Sequence, residues 1–432
     1  MSSGKRQFSR ALLVAAFFVI AAALPALAQL RGHGGPVRAL AVSPDGKTLV
    51  STSFDTTVIV WSLGSGTAEK VLRFHNGAVN AVAYLKDGRF ATSGEDARIA
   101  IWEPGRDKPS AVLEGHTAPV VSLAVSSDGK TLASAAWDGT ARLWPLDGGA
   151  PRVLEGHQQN VNGTAFAAGG HAVVTAGYDA TLRIWPMDDA TPVTTQLPSP
   201  LNAVAVTAAG EIVTAGATGR VYFLSPAGQL QGEVEVASVP IIALAVSADG
   251  RRVAASSAKG AVGIIDSTSR KLERTLVGPG MPAWSITFLP DGATLLTGGA
   301  DRLIRRWNAE TGEHIGDITM NAPADPLAAY EGDRGAQVYR ACVACHTLKA
   351  DEGPRAGPTL AGIFGRRIAS LQGYDFSPAL KQMDIVWTPE TVSKLFEIGP
   401  AAYTPGTKMP EQRVTGEDRA ALIKFLEKAT KP

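Results

Sequence analysis

The chain has 432 residues, more than one ordinary domain contains, and 45% of them are hydrophobic, so two or three separate cores are expected. The formal net charge is only +1, which excludes the large basic excess expected of a nucleic-acid-binding protein or of one held on an anionic membrane. The 46 glycines and 27 prolines favour many turns and therefore many short strands.

The first 28 residues have the pattern of a secretory signal peptide. Basic residues within the first ten positions precede an apolar run at residues 11–24, and Ala-Leu-Ala at 26–28 supplies small residues for cleavage after Ala28. The run is shorter than the roughly 20 apolar residues of a membrane-spanning helix. We therefore expect export to the periplasm, with no stable membrane insertion after cleavage. Retention of the segment as an anchor is the alternative.

Residues 29–320 repeat one unit of about 40 residues seven times. Each unit ends in a tryptophan or a bulky apolar residue, and these ends are 39 to 42 residues apart: Trp61, Trp102, Trp144, Trp185, Leu224, Ile265 and Trp307. Each unit carries strand-like runs separated by turn signals such as Asp-Gly. Such units stack on their neighbours, and a ring of four-stranded units leaves only short strand edges. The sequence therefore predicts an all-β seven-bladed propeller.

Two recurring polar positions make these units resemble the WD-repeat β-propeller family. An aspartate lies six residues before the closing tryptophan in five units, and a histidine precedes four units: Asp55, Asp96, Asp138, Asp179 and Asp301; His33, His75, His116 and His157. The resemblance implies that these side chains hydrogen-bond with a Ser or Thr and the tryptophan inside each blade, so they are structural rather than metal ligands. Units five and six carry Thr218 and Lys259 instead and lack the complete network.

The sequence gives a weaker indication of how the propeller ring closes. Little chain precedes the first unit once the signal is removed. We expect residues 312–319 to supply the outer strand of the seventh blade, so that the ring closes by packing alone. The Ala- and Pro-rich stretch at residues 321–330 then serves as a linker.

The motif at Cys342, Cys345 and His346 carries the clearest chemistry. A Cys-x-x-Cys-His pattern is typical of c-type haem attachment: the two thiols add to the porphyrin vinyl groups, and the histidine lies under the iron. A redox disulfide is the other use of two cysteines at this spacing, and the adjacent histidine argues against it. We expect one covalent haem c, with its iron bound by His346.

A methionine supplies the second axial ligand in our interpretation. Met409 lies in a loop bounded by Pro and Gly, whereas Met383 lies in a segment that is typical of a helix end and is expected in the core. Ligation by His346 and Met409 fills both axial positions, so the iron is expected to pass electrons rather than bind a substrate.

Residues 331–432 are expected to form a small all-α domain, and 331–430 resemble the class I cytochromes c of the mitochondrial and α-proteobacterial type. The resemblance rests on the motif, on Gly-Pro-Thr-Leu at 357–360, on residues 362–380 and on a terminal helix at 416–429. It implies that the Pro358 carbonyl accepts a hydrogen bond from the His346 ring, and that Arg366 and Trp387 lie near the haem propionates. Phe376 and Phe396 stand where many relatives have tyrosine.

The sequence thus predicts an electron carrier, not an enzyme, whose propeller docks a redox donor or acceptor protein. Two alternatives stay open: a haem-containing oxidoreductase subunit in which the propeller adds a catalytic site or a second haem, and a redox sensor. A second haem needs axial ligands, and only His171 and His314 lie outside the blade positions and the haem motif. Both are expected at the surface.

Overall fold

The computed structural model describes residues 29–431, with gaps at Thr67, Asp189, 278–279, 317–326, 340–341, 343–345, 351–356, 373, 375, 408 and 410–413. The expected signal peptide (1–28), most of the expected linker and Cys345 therefore lie outside the described residues.

The described part of the chain contains seven four-stranded antiparallel sheets, arranged as the blades of a propeller. The first blade comprises β2 Val37–Val42, β3 Thr48–Ser53, β4 Thr57–Ser62 and β5 Ala68–Arg73, and the second β6 Val79–Tyr84, β7 Phe90–Gly94, β8 Ile99–Trp102 and β9 Ala111–Leu113. The third comprises β10 Val120–Val125, β11 Thr131–Ala136, β12 Ala141–Pro145 and β13 Arg152–Leu154, and the fourth β14 Val161–Phe166, β15 Ala172–Gly177, β16 Thr181–Pro186 and β17 Val193–Gln196. The fifth comprises β18 Leu201–Val206, β19 Ile212–Gly216, β20 Arg220–Leu224 and β21 Leu230–Glu235, and the sixth β22 Ile241–Val246, β23 Arg252–Ser257, β24 Ala261–Asp266 and β25 Lys271–Val277. The seventh comprises β26 Ser285–Phe288, β27 Thr294–Gly298, β28 Leu303–Asn308 and the N-terminal strand β1 Gln29–Arg31.

The N-terminal strand closes the ring, and here the prediction from the sequence is wrong. β1 pairs with β28, Leu30 facing Ile304, so the first strand of the described chain is the outer strand of the last blade. Of the expected strand at 312–319, the described part forms a single bridge between His314 and Trp307. Backbone hydrogen bonds between the two ends of the repeat therefore hold the ring shut, in addition to packing.

The middle strands of each blade are largely buried because sheets cover both of their faces. In β3 and β15 almost every residue is buried, while the outer strands β5 and β21 alternate towards solvent. The hydrophobic clusters contain side chains from neighbouring blades, as where Val50 of blade one packs with Phe90 and Trp102 of blade two. The core of the propeller is thus a ring of such contacts between sheets.

The hydrogen-bonded network expected from the repeats is present in blades one to four. In blade three the indole N–H of Trp144 donates to Ser134 Oγ at 2.8 Å, and that hydroxyl lies 2.8 Å from His116 Nε2. His116 Nδ1 then lies 2.7 Å from the Asp138 carboxylate. The same chain runs through Ser51, Thr92 and Thr175 in the other three blades. Each histidine is fully engaged within its blade, which confirms the structural interpretation.

Blades five to seven depart from that network, as the sequence indicates. In blade five Thr218 makes only hydroxyl contacts, to Tyr222 at 3.1 Å and Ser199 at 3.5 Å. In blade seven the buried Asp301 forms an ion pair with Arg305. His314, expected at the surface, is half-buried with its ring centroid 3.5 Å from that of Trp307, whereas His171 is exposed as expected.

The small C-terminal domain is helical, which confirms the predicted class. It contains a 3₁₀ turn Ala328–Tyr330 and the helices α1 Arg334–Tyr339, α2 Pro378–Lys381, α3 Pro389–Ile398, α4 Pro400–Tyr403 and α5 Gly416–Ala429. Its core joins α1, α3 and α5 around Tyr339, Phe396 and Phe425. Leu327 and Tyr330 also pack in this core, so the domain begins before residue 331 and the expected linker is shorter than predicted.

The crossing of α1 and α5 depends on Gly335. A Cβ placed on this glycine would lie 2.2 Å from the Ala421 carbonyl oxygen and 2.5 Å from the Phe425 Cβ. The two helices therefore touch backbone to backbone at this point. Among the described residues, no helix combines the length and the apolar character needed to cross a membrane.

Candidate haem-binding site

The site begins where α1 ends. The backbone N–H of Cys342 donates to the Tyr339 carbonyl, and the N–H of His346 donates to the Cys342 carbonyl at 2.8 Å. This helical turn places Cys342, which is buried, and His346 one turn apart on the same side of the chain. Cys345, the second cysteine of the motif, lies outside the described residues. The Tyr339 hydroxyl donates to the His346 carbonyl at 3.2 Å and ties the end of the turn to the core.

The ring of His346 is held by the loop that follows the motif. Its Nδ1 lies 2.8 Å from the Pro358 carbonyl oxygen, which accepts hydrogen bonds only, so Nδ1 carries the proton. Residue 357 passes so close to the imidazole that a Cβ there would lie 2.3 Å from Cε1. The Gly-Pro pair therefore orients the imidazole and selects its tautomer, as the resemblance implied.

Arg366 holds the Pro358 loop in place. Its guanidinium donates to the carbonyl of Thr359 at 2.8 Å and to that of Ala361 at 3.1 Å. Burial lowers the pKa of Arg366 from its ordinary value. Trp387 is tied to the same segment, because its backbone N–H donates to the Arg366 carbonyl at 2.9 Å. Both residues line the cavity described next, and Arg366 also supports the histidine loop.

A cavity of about 490 Å³ lies between the loops and helices of this domain. Tyr339, Cys342 and His346 line it on one side, and Met409 lines it as well, with Phe396, Leu422 and Leu426 among its apolar walls. The volume falls within the range of about 300–1,000 Å³ that is common for cofactor and ligand sites. Met383, the competing methionine, is half-buried and belongs neither to this lining nor to the core cluster.

These residues fit a haem c. The cavity walls are mainly apolar, the one histidine among them has a fixed tautomer, and a thioether lines the same space. Phe376 and Phe396 are both part of the wall, so neither of these positions brings a hydroxyl to the cavity. Among the described residues, no group of three or more His, Cys, Asp or Glu side chains could hold another metal ion.

The propeller reaches the mouth of the cavity. Val71 and Arg73 of β5 lie among the residues that line it, and the guanidinium of Arg73 lies over the ring of Tyr374, 4.7 Å from its centroid. Such a contact is a cation–π interaction. Nothing in the sequence indicates this pairing, because it joins side chains about 300 residues apart on two differently built domains.

Sequence reasoning also missed Thr359 as a residue of the site. Its hydroxyl donates to the carbonyls of Thr347 and Lys349 at 3.3 and 3.2 Å, and so couples the segment after His346 to the Pro358 loop. The Gly-Pro-Thr-Leu motif contained the signal, since a threonine beside a constrained proline often bonds to nearby backbone.

Comparison with known proteins agrees with both parts of the structure. The family model of the WD domain, G-beta repeat, matches residues 25–62, 66–103, 107–145, 149–186 and 270–308, which leaves out the divergent blades five and six. The Cytochrome c family model matches residues 332–430. Over this region the chain is similar to the cytochromes c of Arabidopsis thaliana and Cochliobolus lunatus, each 44% identical, which cover 25% and 23% of this chain and are themselves covered to 97% and 96%. It is also 33% identical to cytochrome c2 of Blastochloris viridis, over 26% of this chain and 88% of that protein.

Proposed function

Because its C-terminal domain makes this chain a member of the cytochrome c family, with a propeller of WD repeats in front, we propose that the protein carries single electrons between redox partners and uses the propeller to dock one of them. The observation that supports this most directly is the 490 Å³ apolar cavity lined by both His346 and Met409. The domain binds one covalent haem c, as its relatives do.

The residues of the site have separate tasks in this proposal. Cys342 and Cys345 hold the haem covalently, and when bound it supplies an iron that accepts and releases one electron. His346 would bind the iron through Nε2, because the Pro358 carbonyl engages Nδ1. The thioether of Met409, which lines the same cavity, would be the second protein ligand and would leave no exchangeable position for a substrate. Arg366 keeps the histidine loop in place.

The apolar wall tunes the site as well. Phe396 and Leu422 are buried beside the cavity and exclude water from it. A dry, low-dielectric surrounding stabilises the state of lower net charge and therefore influences the reduction potential. The phenylalanines at 376 and 396 remove hydroxyl donors from this wall, which changes the environment of the methionine sulfur.

Two further parts of the proposal concern location and partners. Haem attachment outside the cytoplasm and the leader pattern of residues 1–28 support export to the periplasm. Cell fractionation followed by N-terminal sequencing tests this, with a mature start at Gln29 expected.

The propeller offers a rigid ring with loops on two faces, which suits it for recruiting a protein partner.

The test of the haem site is a pair of methionine substitutions in the full haem-loaded chain. We expect Met409→Ala to abolish the weak red absorption band of methionine-to-iron charge transfer in the ferric protein and to permit azide binding. Met383→Ala serves as the matched control, since it removes the same side chain outside the cavity, and it should leave both properties unchanged.

Two outcomes would contradict the closed electron-transfer site. One is a wild-type protein that lacks the band and binds azide readily, and the other is loss of the band in Met383→Ala rather than in Met409→Ala. Either result would favour the catalytic or sensing alternatives, in which an open or exchangeable axial position is required.

A further inference from the structure

The end of the propeller channel at which the inner strands begin carries a ring of equivalent side chains. The inner strands β2, β6, β10, β14, β18, β22 and β26 contact one another in turn around the axis, and β26 contacts β2. In six of these strands the pairing register shifts after the first residue, at a bulge. The residues at this position are Arg38, Asn80, Val121, Asn162, Asn202 and Ile242. Trp284, directly before β26, is the seventh.

Two polar members of this ring are satisfied by the protein. Asn162 Nδ2 donates to the Leu201 carbonyl at 2.9 Å, and Asn202 Nδ2 donates to the Ile241 carbonyl at 2.8 Å. Each therefore bridges its own blade to the next one. The indole N–H of Trp137 donates to Asn162 Oδ1 at 3.1 Å and completes the bonding of that amide.

The other two polar members, Arg38 and Asn80, have no such partners. They occupy equivalent positions on the neighbouring strands β2 and β6, and Asn80 is only 6% exposed. Within the described part of the chain, neither side chain has a hydrogen bond or an ion pair. The contact that Arg38 makes is with the Trp284 ring, whose centroid lies 5.6 Å from its guanidinium carbon. Their polar atoms reach solvent at the channel mouth, so both side chains are available to a ligand.

The acidic groups nearby are already engaged. Asp55 is hydrogen-bonded to His33, Thr57 and the backbone N–H of Gly34. Glu95, in the corresponding turn of blade two, accepts from the N–H of Ala78. Neither carboxylate forms an ion pair with Arg38 among the described residues, so the guanidinium is free to bind the carboxylate of a partner.

Exposed aromatic side chains stand at the same end of the propeller. Phe54 is 41% exposed and its ring lies 6.1 Å from that of Trp284. At the corresponding turn of blades three and four stand Trp137 and Tyr178, which are also exposed. Aromatic anchors beside a charged group are typical of protein-binding surfaces rather than of sites for small inorganic anions.

We propose that this channel mouth binds an acidic segment of a partner protein, with a carboxylate side chain on Arg38 and Asn80 and a neighbouring apolar residue against Trp284 and Phe54. The guanidinium fork matches a carboxylate in two parallel hydrogen bonds, and the Asn80 amide supplies a third donor. This inference rests on the proposed docking role of the propeller and names the face and the chemistry that it uses.

The test uses the full haem-loaded chain and a fluorescein-labelled peptide, Gly-Ser-Phe-Glu-Glu-Gly-Ser, with the corresponding Phe-Gln-Gln peptide as its uncharged counterpart. By fluorescence anisotropy, we expect saturable binding of the acidic peptide and at least tenfold weaker binding of the glutamine peptide. Arg38→Gln should weaken binding of the acidic peptide at least tenfold, and Arg38→Lys, which keeps the charge but loses the fork, should weaken it by less. Arg89→Gln removes the same charge from the turn at the other end of β6 and should change binding less than twofold.

The proposal is overturned if the wild type shows no saturable binding at millimolar peptide, if both peptides bind equally, or if Arg89→Gln weakens binding as much as Arg38→Gln. The thermal unfolding midpoint of each variant shows whether the propeller remains folded. The ferric spectrum and the rate of reduction by ascorbate are recorded on the same samples. A normal haem in a chain that does not bind the peptide refutes this site alone, whereas an abnormal wild-type haem refutes the electron-carrier proposal whatever the peptide does.

Discussion

The propeller fills its interior with its own side chains, whereas the helical domain surrounds a space that its side chains leave open. Trp61 and Trp102, at the ends of the first two repeats, are 1% and 0% exposed, and their indole N–H groups are bonded within the blade. In the helical domain, Tyr339, Phe396 and Leu422 instead face a cavity of about 490 Å³. The difference shows that one domain is complete as a polypeptide and the other is complete only with its cofactor.

The largest expected effect comes from preventing haem attachment. In Cys342→Ala combined with Cys345→Ala, we expect the helical domain to lose cooperative structure while the propeller keeps its own. At about 24 cal/mol per Å³ of cavity, an unfilled space of this size corresponds to an upper bound of roughly 12 kcal/mol, comparable with the whole stability of a small domain. Hydrogen exchange should therefore show α5 amides unprotected and β11 amides still protected.

Met409→Ala is the matched control for that experiment. It removes one proposed ligand but keeps the covalent attachment, so α5 should remain protected against exchange. Persistent protection of α5 in the double cysteine variant would show that the helical domain folds without its cofactor, and the contrast between the two domains would then be wrong.

We expect a smaller loss of stability when the hydrogen-bonded network of one blade is broken. Asp138 accepts from His116 Nδ1, from the backbone N–H groups of Thr117 and Thr140, and from the Thr140 hydroxyl. Asp138→Ala leaves these donors, among them the buried His116 ring, without their acceptor, which should lower the free energy of unfolding by about 2–4 kcal/mol. Calorimetry of the propeller transition measures this change.

The equivalent residue of blade five supplies the control. Thr218 is exposed and contacts only hydroxyl groups, so Thr218→Ala should change the free energy of unfolding by less than about 1 kcal/mol. Equal losses from the two substitutions would mean that the aspartate network adds nothing beyond the strand pairing that all seven blades share.

The same contrast explains what the sequence reveals. The number of blades and the network of blades one to four are predictable because each member recurs at a fixed distance, so one correct unit predicts the rest. The contact between His346 and Pro358 was implied by the resemblance to the class I cytochromes c, and the residues that carry it lie within 17 residues of chain. Both features are short-range in sequence.

The features that were missed depend on long-range packing. β1 has only three residues, too few for a strand pattern, and its partner β28 lies at the far end of the repeats. Leu327 and Tyr330 stand in a stretch whose Ala and Pro composition is typical of a linker. Contact with Phe425, almost 100 residues later, places Tyr330 in the core. Arg38 and Asn80 are ordinary surface residues in sequence and become notable only when the ring brings their strands together.

The smallest expected effect is a pH dependence that belongs to the propeller histidines. Burial raises the pKa of Asp55, but its interactions with His33 and Thr57 lower it by more, so the net shift is downward. The pKa values of the corresponding aspartates in blades two to four are lowered in the same way. Their stabilising contribution is complete above about pH 4 and is lost only as the pH falls through the lowered pKa values. They therefore add no slope between pH 5 and 7.

Between pH 5 and 7, His157 and His314 determine whether the stability of the propeller rises or falls with pH. Burial lowers the pKa of His157 despite the nearby Asp179, and burial followed by the charge of Arg305 lowers that of His314. Because the unfolded chain binds these protons first, the stability of the propeller should fall as the pH drops below about 6.5, by at most about 1.4 kcal/mol per pH unit for each group. His157→Gln should reduce this slope in calorimetry between pH 5 and 7, while His171→Gln, at an exposed turn, should retain it. If His157→Gln leaves the slope of stability against pH unchanged, His157 does not contribute to the loss of stability in acid. The slope would then be assigned to His314, which lies beside blade seven, where the network is different.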